Sequence, residues 1–495
     1  MKKKLILLAI VLAATLIRVY NIEQKNLWFD EVFSWHISQG TVEEIVIETS
    51  GDIHPPFYYI VLKFWINIFS DSIVSMRMLS VLMSILSMYF IYKISILILK
   101  NENHAFVVLI LFALSPLNLL YSQEVRMLSL NLFLCLGSVY FFLTFLNKEK
   151  LLTGILFVLF TVLSLYTHYF SLLILFTELI ILLIYFRKSK FSLSNIRNKI
   201  ILLITSFILY IPWIPTFLKQ TNKGQPWRKE QSLLTVLNSV SDFFKDIFVS
   251  SYYKYENSMF INYTNVFSLF VIIFIFYLLF KILNFRKNRD VKIVYDILLF
   301  FIPLTIAILI SINQSILLSR YLSITIPFLY IFIVYSIFYL FKIKTSVIIL
   351  VLFILTNFLG IYIYNNNNFK NNDYRKIISH IESGFNEGDQ IIAEPHFMGW
   401  SINYHMRHNK SELTKPEVYG WNLKMQTDSL KNITDKKNYW FITDYSSLEN
   451  NNYDSLAYIM NSMGYTRISE KTFYVIPSKV KVEYFKITGK NSLIK

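Results

Sequence analysis

The sequence predicts a polytopic α-helical membrane protein with a small α/β domain at its C-terminal end. Of the 495 residues, 55% are hydrophobic and 17% aromatic, and the mean hydropathy is +0.46, beyond the usual range of soluble domains. Several apolar runs are long enough to cross the hydrocarbon core of a bilayer. After residue 363 these runs stop, and short helical and extended patterns follow.

The first apolar run lies at the N-terminus. Basic residues Lys2–Lys4 precede apolar residues 5–17, a pattern that resembles a signal peptide, and Ala13-Ala14 would supply a cleavage site. The apolar run continues to Tyr20, however, and many further runs follow. We therefore predict an uncleaved first span with its lysines in the cytoplasm.

Further apolar runs bring the predicted total to about 11 transmembrane helices. The stretch 151–186 is too long for one span, and Tyr166–Tyr169 is its natural break. The predicted spans after the first one are 73–99, 105–120, 127–146, 151–166, 169–186, 200–218, 262–283, 292–312, 321–341 and 345–363.

Clusters of basic residues occur in every second loop, and they indicate which side of the membrane each loop occupies. Lysine and arginine cluster after alternate spans, as at Arg187–Lys190 and Arg286–Arg289, whereas the opposite loops contain acidic residues such as Asp52. The positive-inside rule then predicts a plasma-membrane protein with a cytoplasmic N-terminus and an extracytoplasmic C-terminal domain. The net charge of +16 is mainly an orientation signal, and this argues against a nucleic-acid partner.

Three segments outside the membrane are predicted on the outer side. The transmembrane domain, residues 1–363, includes external loops 21–72 and 220–261, and the second loop contains an amphipathic stretch, Leu233–Val249, suited to the membrane interface. The α/β domain occupies residues 364–495. Its predicted helices are Tyr374–Glu382 and Leu456–Met463, and its predicted strands are Gln390–Ala393, Tyr439–Asp444 and Thr472–Ile476.

Two adjacent carboxylates, Asp30 and Glu31, open the first external loop. Acidic residues beside hydrocarbon are costly unless they pair, meet water or do chemistry. A structural alternative is that Asp30 caps a short helix. Farther along the loop, His54 precedes Pro55-Pro56, which bar helix continuation and hold the histidine on an extended segment near the membrane surface.

Polar residues also gather at the outer ends of the predicted spans. Arginines and histidines beside carboxylates are what transfer away from a phosphate requires, namely cations for the leaving group and a base for the acceptor. Singly, each residue also has a structural explanation such as snorkelling or capping. The set is Arg18, Asp30, Glu31, His54, Arg77, Glu124, Arg126, His168, Arg320 and Tyr321.

The motifs that contain these residues resemble glycosyltransferase family 39, which includes the protein O-mannosyltransferases and falls in the GT-C class. The resemblance covers roughly residues 5–340. In chain order, the motifs are LWFDEVFS, HPPFYYIVLKFW, SMRMLSVL, YSQEVRMLSL, THYF and SRYL.

The resemblance implies a role for each matched residue. Asp30 becomes the catalytic base and Glu31 accompanies it, while Arg18 and Arg77 serve the donor or acid network. His54 matches the histidine of the His-Pro-Pro motif, and His168, Arg320 and Tyr321 fall in motifs assigned to donor binding. Glu124 and Arg126 match a Glu-x-x-Arg-like segment only loosely, because the spacing here is Glu-Val-Arg.

The implied activity is sugar transfer from a polyprenyl-phosphate donor on the outer face of the membrane. The acceptor stays open between a glycolipid, a cell-wall polymer and a protein, because the β-trefoil modules of eukaryotic protein mannosyltransferases are missing here. A divalent cation is also left open, since no carboxylate spacing dictates one. The Lys-, Asn- and Ile-rich composition is typical of an AT-rich bacterial genome.

Two other functions fit a polytopic protein. A transporter or flippase of lipid-linked sugars would have spans broken by Gly or Pro, midplane charges and repeated halves. The charges instead lie at one face, and no repeated half is visible. A catalytically inactive homologue acting as a binding module is disfavoured by the intact Asp30-Glu31 pair.

Overall fold

The computed structural model describes residues 2–188, 193–223, 232–249, 258–284, 291–366, 374–394, 398–408, 418–420, 437–444, 460–461, 463–475 and 478–487. The chain divides into two compact units. The first comprises Met1–Ile22 and Ile37–Asn367, and the second comprises Glu23–His36 and Asn368–Lys495. The predicted domain boundary at residue 364 stays a prediction.

Helices numbered α1 to α18 run from the N-terminus to Asn366. Short 3-10 turns, Ile211–Trp213 and Ser323–Thr325, precede α12 and α17. The helices are α1 Lys2–Val19, α2 Phe29–Ser38, α3 Val42–Gly51, α4 Phe57–Phe69, α5 Ile73–Leu99, α6 Glu102–Ala113, α7 Pro116–Ser122, α8 Leu128–Asn147, α9 Leu151–Leu165, α10 Ser171–Lys188, α11 Leu193–Tyr210, α12 Ile214–Lys223, α13 Leu233–Val249, α14 Ser258–Asn284, α15 Val291–Ser311, α16 Ser319–Leu322, α17 Ile326–Leu340 and α18 Ile343–Asn366.

The multi-pass membrane character of the chain is confirmed. Among the described residues, 7 helices are long and apolar enough to cross a membrane, or up to 8 if the bent pair α6 and α7 forms one span. The remaining predicted spans correspond to α1, which carries three lysines and Arg18, to the 15-residue α9, and to α10, which contains Glu178. The total of eleven therefore stays a prediction.

The segment 21–72, predicted as a loop, is largely helical. Helix α3 begins with a capping box, in which the Thr41 hydroxyl accepts the Glu44 backbone N–H and the Glu44 carboxylate accepts the Thr41 N–H. Helix α4 begins directly after Pro56, a position where the N–H that proline lacks is not needed. Each of these helices is shorter than a span, so hydropathy alone does not reveal them.

The centre of the first unit is formed by α8 and α17. Both helices are buried on nearly every face, α8 packing against α5, α9 and α10, and α17 against α6 and α15. At the close approach of α18 to α13, a Cβ atom on Gly360 would lie 2.3 Å from the Phe248 carbonyl oxygen. Only glycine permits that backbone separation.

Besides most of α2, the described part of the second unit contains a mixed sheet and the helices α19 Tyr374–Glu382 and α20 Met398–His408. The strand order is β2-β1-β3-β5-β4, with β1 parallel to β2 and β3, and β5 antiparallel to β3 and β4. The strands are β1 Gln390–Glu394, β2 Val418–Gly420, β3 Tyr439–Asp444, β4 Tyr465–Val475 and β5 Ser478–Ile487.

Alternating side chains of the sheet form two apolar clusters. Ile391, Trp440 and Val482 pack against α19 and α20 on one face, whereas Phe441 and Phe485 belong to the other. This alternation is the period of two expected for strands. A C-terminal region of α/β character is therefore confirmed, while most of the predicted helix 456–463 falls outside the described residues.

Candidate active site

A cavity of about 410 Å³ lies in the first unit and contains several predicted site residues. His54, His168 and Tyr321 line it together with an apolar wall. The wall includes Phe170, Leu172, Leu173, Phe217, Ile310 and Ile316. A mostly apolar cavity with a few convergent polar groups is the usual form of a ligand site.

His168 lies in the turn between α9 and α10 with a defined tautomer. Its Nδ1 accepts the backbone N–H of Phe170 at 3.1 Å, which leaves the proton of the neutral ring on Nε2. Nε2 is buried and has no hydrogen-bond partner among the described residues. Burial, together with the charges of Arg126 and Arg320, lowers the pKa of His168 to about 3. The ring is therefore a neutral hydrogen-bond donor at physiological pH.

One long-range hydrogen bond brings His54 and His168 together. The N–H of Phe57, the first residue of α4, donates to the carbonyl of Tyr166 at 3.0 Å. This N–H is available because the first turn of a helix has no internal acceptor for it. As a result, the two histidine rings lie 5.5 Å apart between centroids.

The Ser319–Leu322 helix α16 completes this group. The ring centroid of Tyr321 lies 4.7 Å from that of His168 and 6.3 Å from that of His54, and the Arg320 guanidinium lies 5.1 Å from the centre of the Tyr321 ring. The structure thus assembles His54, His168, Arg126, Arg320 and Tyr321 from four separate stretches of sequence. Two guanidinium groups beside two histidines form an environment for an anion.

A second group of predicted residues lies along α5. Arg18 is fully buried; its Nε donates to the Ser84 hydroxyl at 2.9 Å, and its Nη1 donates to the carbonyls of Ala14 and Ala113 at 3.1 and 3.2 Å. Protein groups therefore accept at least three of its hydrogen bonds, which favours a role in holding α1, α5 and α6 together.

Arg77 and Glu124 belong to the same group. Nη1 of Arg77 donates to the carbonyl of Ile22 at 2.7 Å, and the Ser80 hydroxyl donates to the backbone carbonyl of Glu124 at 2.5 Å. These contacts fix the backbone after α1 and the turn before α8 against α5. The donor-binding roles of Arg18, Arg77 and Glu124 stay predictions.

Asp30 and Glu31 lie in the first turn of α2, within the second unit. The helix begins one residue before Asp30, which contradicts the structural alternative in which Asp30 caps this helix. Instead, Glu31 is fully buried and its Oε2 accepts the backbone N–H of Trp28 at 3.2 Å. Asp30 is half-buried. This difference favours Asp30 as the residue for proton transfer and Glu31 as the residue that fixes the helix start.

Sequence reasoning missed a hydrogen-bonded group that includes Tyr169 and Gln220, two residues that line the cavity. The Trp213 indole donates to the Tyr169 hydroxyl at 3.0 Å, and the Tyr169 hydroxyl donates to Gln220. Gln220 in turn donates to the Thr49 carbonyl at 2.7 Å. The sequence could have indicated Tyr169, because this residue belongs to the THYF motif. Gln220 belongs to no recognisable motif.

No group of three or more His, Cys, Asp or Glu side chains able to hold a metal ion occurs within the described part of the chain. The possible divalent cation stays an open prediction.

Comparison with known proteins gives no match among curated proteins, but residues 53–215 match the family model described as dolichyl-phosphate-mannose-protein mannosyltransferase.

Two solved structures share the fold over nearly the whole chain. The structure of ArnT from Cupriavidus metallidurans bound to undecaprenyl phosphate is 10% identical, with a TM-score of 0.61 over 96% of this chain and 97% of that one. The apo structure of ArnT is 11% identical, with a TM-score of 0.61 over 99% and 98%.

Residues 53–215 are thus similar to a mannosyltransferase family, and the chain as a whole shares the fold of ArnT. The predicted fold class is confirmed, and the family match over residues 53–215 supports the predicted glycosyltransferase class. The matched stretch, residues 53–215, contains His54, Arg77, Glu124, Arg126 and His168. The matched stretch begins after Asp30 and Glu31. The catalytic assignment of these two residues therefore depends on their chemistry and their position on α2.

Proposed function

We propose that this protein is a glycosyltransferase that transfers a sugar from a polyprenyl-phosphate carrier to an acceptor hydroxyl on the outer face of the membrane. The observation that carries the proposal is the cavity: apolar side chains line it, while His54, His168 and Tyr321 meet there. An isoprenoid chain with a phosphate presents this combination of an apolar body and an anionic head. The undecaprenyl phosphate bound to ArnT is such a lipid.

The phosphate would be held by neutral and charged donors. The Nε2–H of His168 supplies a hydrogen bond without the desolvation cost of a buried cation. Arg126 and Arg320, whose charges act on His168, supply positive charge close to the phosphate. Hydrogen bonds to a charged group are worth about 1.5–3 kcal/mol each.

In the transfer step, the acceptor oxygen attacks the anomeric carbon of the sugar. The bond between that carbon and the phosphate oxygen breaks, and both electrons of the bond leave with the polyprenyl phosphate. The Asp30 carboxylate takes the proton from the acceptor hydroxyl. General-base assistance of this kind typically contributes about 10²–10⁴ in rate. The acceptor is a glycolipid, a cell-wall polymer or a protein.

The transporter alternative gains no support from the comparisons, because the matched family model is that of a mannosyltransferase. A transporter would move the donor lipid without breaking its sugar-phosphate bond. Release of polyprenyl phosphate therefore separates the two functions directly.

Substitution of Asp30 by Asn tests the proposal. Asn keeps the size of the side chain but takes no proton, so turnover in single-turnover assays should fall about 10²-fold or more. Loss of a carboxylate from the first turn alone changes helix stability by only about 0.3–1 kcal/mol, and the protein level should stay normal. Wild-type turnover by the Asp30→Asn enzyme would remove the catalytic assignment.

Glu31→Gln is the matched control. The amide oxygen of Gln can still accept the Trp28 N–H that Glu31 accepts at 3.2 Å. If Glu31 only fixes the start of α2, the turnover of the Glu31→Gln enzyme should fall less than about 10-fold. An equal loss in both variants would mean that the carboxylates share the proton transfer.

We further propose that the C-terminal unit lies outside the cytoplasm of a bacterial cell, in agreement with the alternation of basic loops. Cysteine introduced at Ser383 in a Cys135→Ser background should react with a membrane-impermeant maleimide in intact cells. Cysteine introduced at Ser189 should react only after lysis. The reverse pattern would overturn the orientation.

A further inference from the structure

The helix that carries the two carboxylates, α2, packs through aromatic rings against α20 of the same second unit. His36 stacks on Trp400 with ring centroids 4.5 Å apart and planes at 16°. Phe29 lies 6.3 Å and Phe33 lies 5.7 Å from the same indole. Trp400 therefore contacts three residues of α2.

These three residues occupy one face of α2. Positions 29, 33 and 36 follow the i, i+4, i+7 pattern of a helix surface. At about 100° per residue, Asp30 lies roughly a quarter turn from this aromatic face and Glu31 lies on the opposite side. Trp400 thus supports the helix without occupying the position of either carboxylate.

A second contact fixes the rotation of α2 about its axis. Trp35 lies edge-on to Tyr404, with ring centroids 5.0 Å apart. Trp400 and Tyr404 are one turn apart on α20, whereas their partners lie on different faces of α2. Two contacts on different faces restrict rolling of the helix, which a single stack would permit.

Helix α2 needs such support. It has only 10 residues, and isolated helices shorter than about 12–15 residues are marginal in water. Its first turn gains a capping contact from Glu31 to Trp28. Tertiary packing must supply most of the remaining stability, and the α20 aromatic residues provide it on the face beside Asp30.

We propose that Trp400 is a positioning residue for the transfer reaction, holding α2 so that the Asp30 carboxylate keeps its reactive orientation. This inference rests on the proposed function, in which Asp30 is the base. It assigns a catalytic task to the C-terminal unit, in addition to any part that the unit plays in acceptor binding.

The test compares full-length Trp400→Ala, Trp400→Phe and Phe473→Ala enzymes. Phe473 is a half-buried ring of the same unit that contacts His380 of α19, with centroids 5.6 Å apart, so it controls for general damage to the unit. Trp400→Ala should lower kcat about 10-fold to 10²-fold, since a small misplacement of a catalytic group can cost that much. The KM for the donor should stay within about 3-fold.

Trp400→Phe, which keeps an aromatic ring at this position, should recover most of the lost turnover, and Phe473→Ala should keep wild-type kcat. Hydrogen exchange of the α2 amides should accelerate in Trp400→Ala and not in Phe473→Ala. Equal loss of turnover in Trp400→Ala and Phe473→Ala, or wild-type kcat in Trp400→Ala, would overturn the inference.

A double-mutant cycle with Asp30→Asn separates this inference from the proposed function. If Trp400 acts through Asp30, adding Trp400→Ala to Asp30→Asn should change turnover by less than about 3-fold. Losses that multiply in full would refute positioning. An active Asp30→Asn enzyme would refute the base assignment, whereas an inactive Asp30→Asn beside a fully active Trp400→Ala would refute the positioning role alone.

Discussion

Two substitutions of His168 separate its two ring nitrogens. Nδ1 accepts the Phe170 N–H at 3.1 Å, whereas buried Nε2 has no hydrogen-bond partner among the described residues and belongs to a side chain that lines the cavity. In His168→Asn, the amide oxygen can replace Nδ1, but nothing replaces Nε2. In His168→Gln, the longer amide can replace the Nε2–H donor, while the Phe170 N–H loses its acceptor.

The two variants should therefore fail in opposite ways. Loss of one hydrogen bond to a phosphate oxygen costs about 1.5–3 kcal/mol, which corresponds to roughly a 10-fold to 150-fold lower kcat/KM for the donor in His168→Asn. His168→Gln should use the donor within about 5-fold of wild type. It should instead be destabilised by about 1–3 kcal/mol, the cost of a buried donor without an acceptor.

The assay is sugar transfer at sub-saturating donor in nanodiscs, with the thermal midpoint of each variant measured in the same preparation. Wild-type donor use by His168→Asn would refute the assignment of Nε2 to the phosphate. Equal losses of donor use in both variants would show that the turn, and not the donor atom, was disturbed.

The pH profile provides an independent check of the same residue. Because its pKa is lowered to about 3, the His168 ring stays neutral from about pH 5 to 8, and its protonation cannot change donor use in that range. The kcat/KM profiles of wild type and His168→Gln should therefore have the same shape. A step near pH 6.5 in the wild type that disappears in His168→Gln would contradict a neutral donor.

Two further predictions concern the packing of the first unit. Arg18→Met should lower the thermal midpoint, because the Ser84 hydroxyl and two backbone carbonyls lose a buried donor; an unchanged midpoint would contradict the packing role. Gly360→Ala should cost about 1–3 kcal/mol through collision with the Phe248 carbonyl. Gly51→Ala, where nothing lies within 4 Å, should leave the midpoint unchanged, and equal effects of the two alanines would refute this contrast.

The sequence predicts those helices and strands that are specified by residues within their own segment. Amphipathic periodicity predicts α13 with its observed bounds, Leu233–Val249, and a short run of aromatic and β-branched residues predicts β3 at Tyr439–Asp444. The capping and proline signals around α3 and α4 are also local, but α3 has only 10 residues and the apolar α4 only 13, too few for a span. Hydropathy therefore predicts a loop over residues 21–72.

Strand β5, Ser478–Ile487, was missed although its pattern was visible. Val480, Val482 and Tyr484 alternate with lysine and glutamate side chains, as a strand with one apolar face requires. Strand β2, by contrast, has only three residues and pairs with β1. So short an element is defined by its neighbour, and its own sequence cannot specify it.

The composition of the candidate site was predictable, but its grouping was not. Basic and acidic residues at the outer ends of spans identified the members. Their grouping depends on pairings such as the Phe57 N–H with the Tyr166 carbonyl and the His36 ring with Trp400. These partners lie more than a hundred residues apart in the chain, so no periodicity within a single segment can reveal them.

The combination of neutral and charged donors around the cavity has a consequence for the proposed reaction. The phosphate of a sugar-lipid donor is a diester with one negative charge, and cleavage of the sugar bond develops a second charge on it. A neutral N–H such as that of His168 binds both states, whereas the fixed charges of Arg126 and Arg320 gain most as the second charge develops. Interactions that strengthen towards the transition state accelerate the step, and those that are equal in both states only bind. His168 is therefore expected to affect mainly the KM for the donor, and the two arginines mainly kcat.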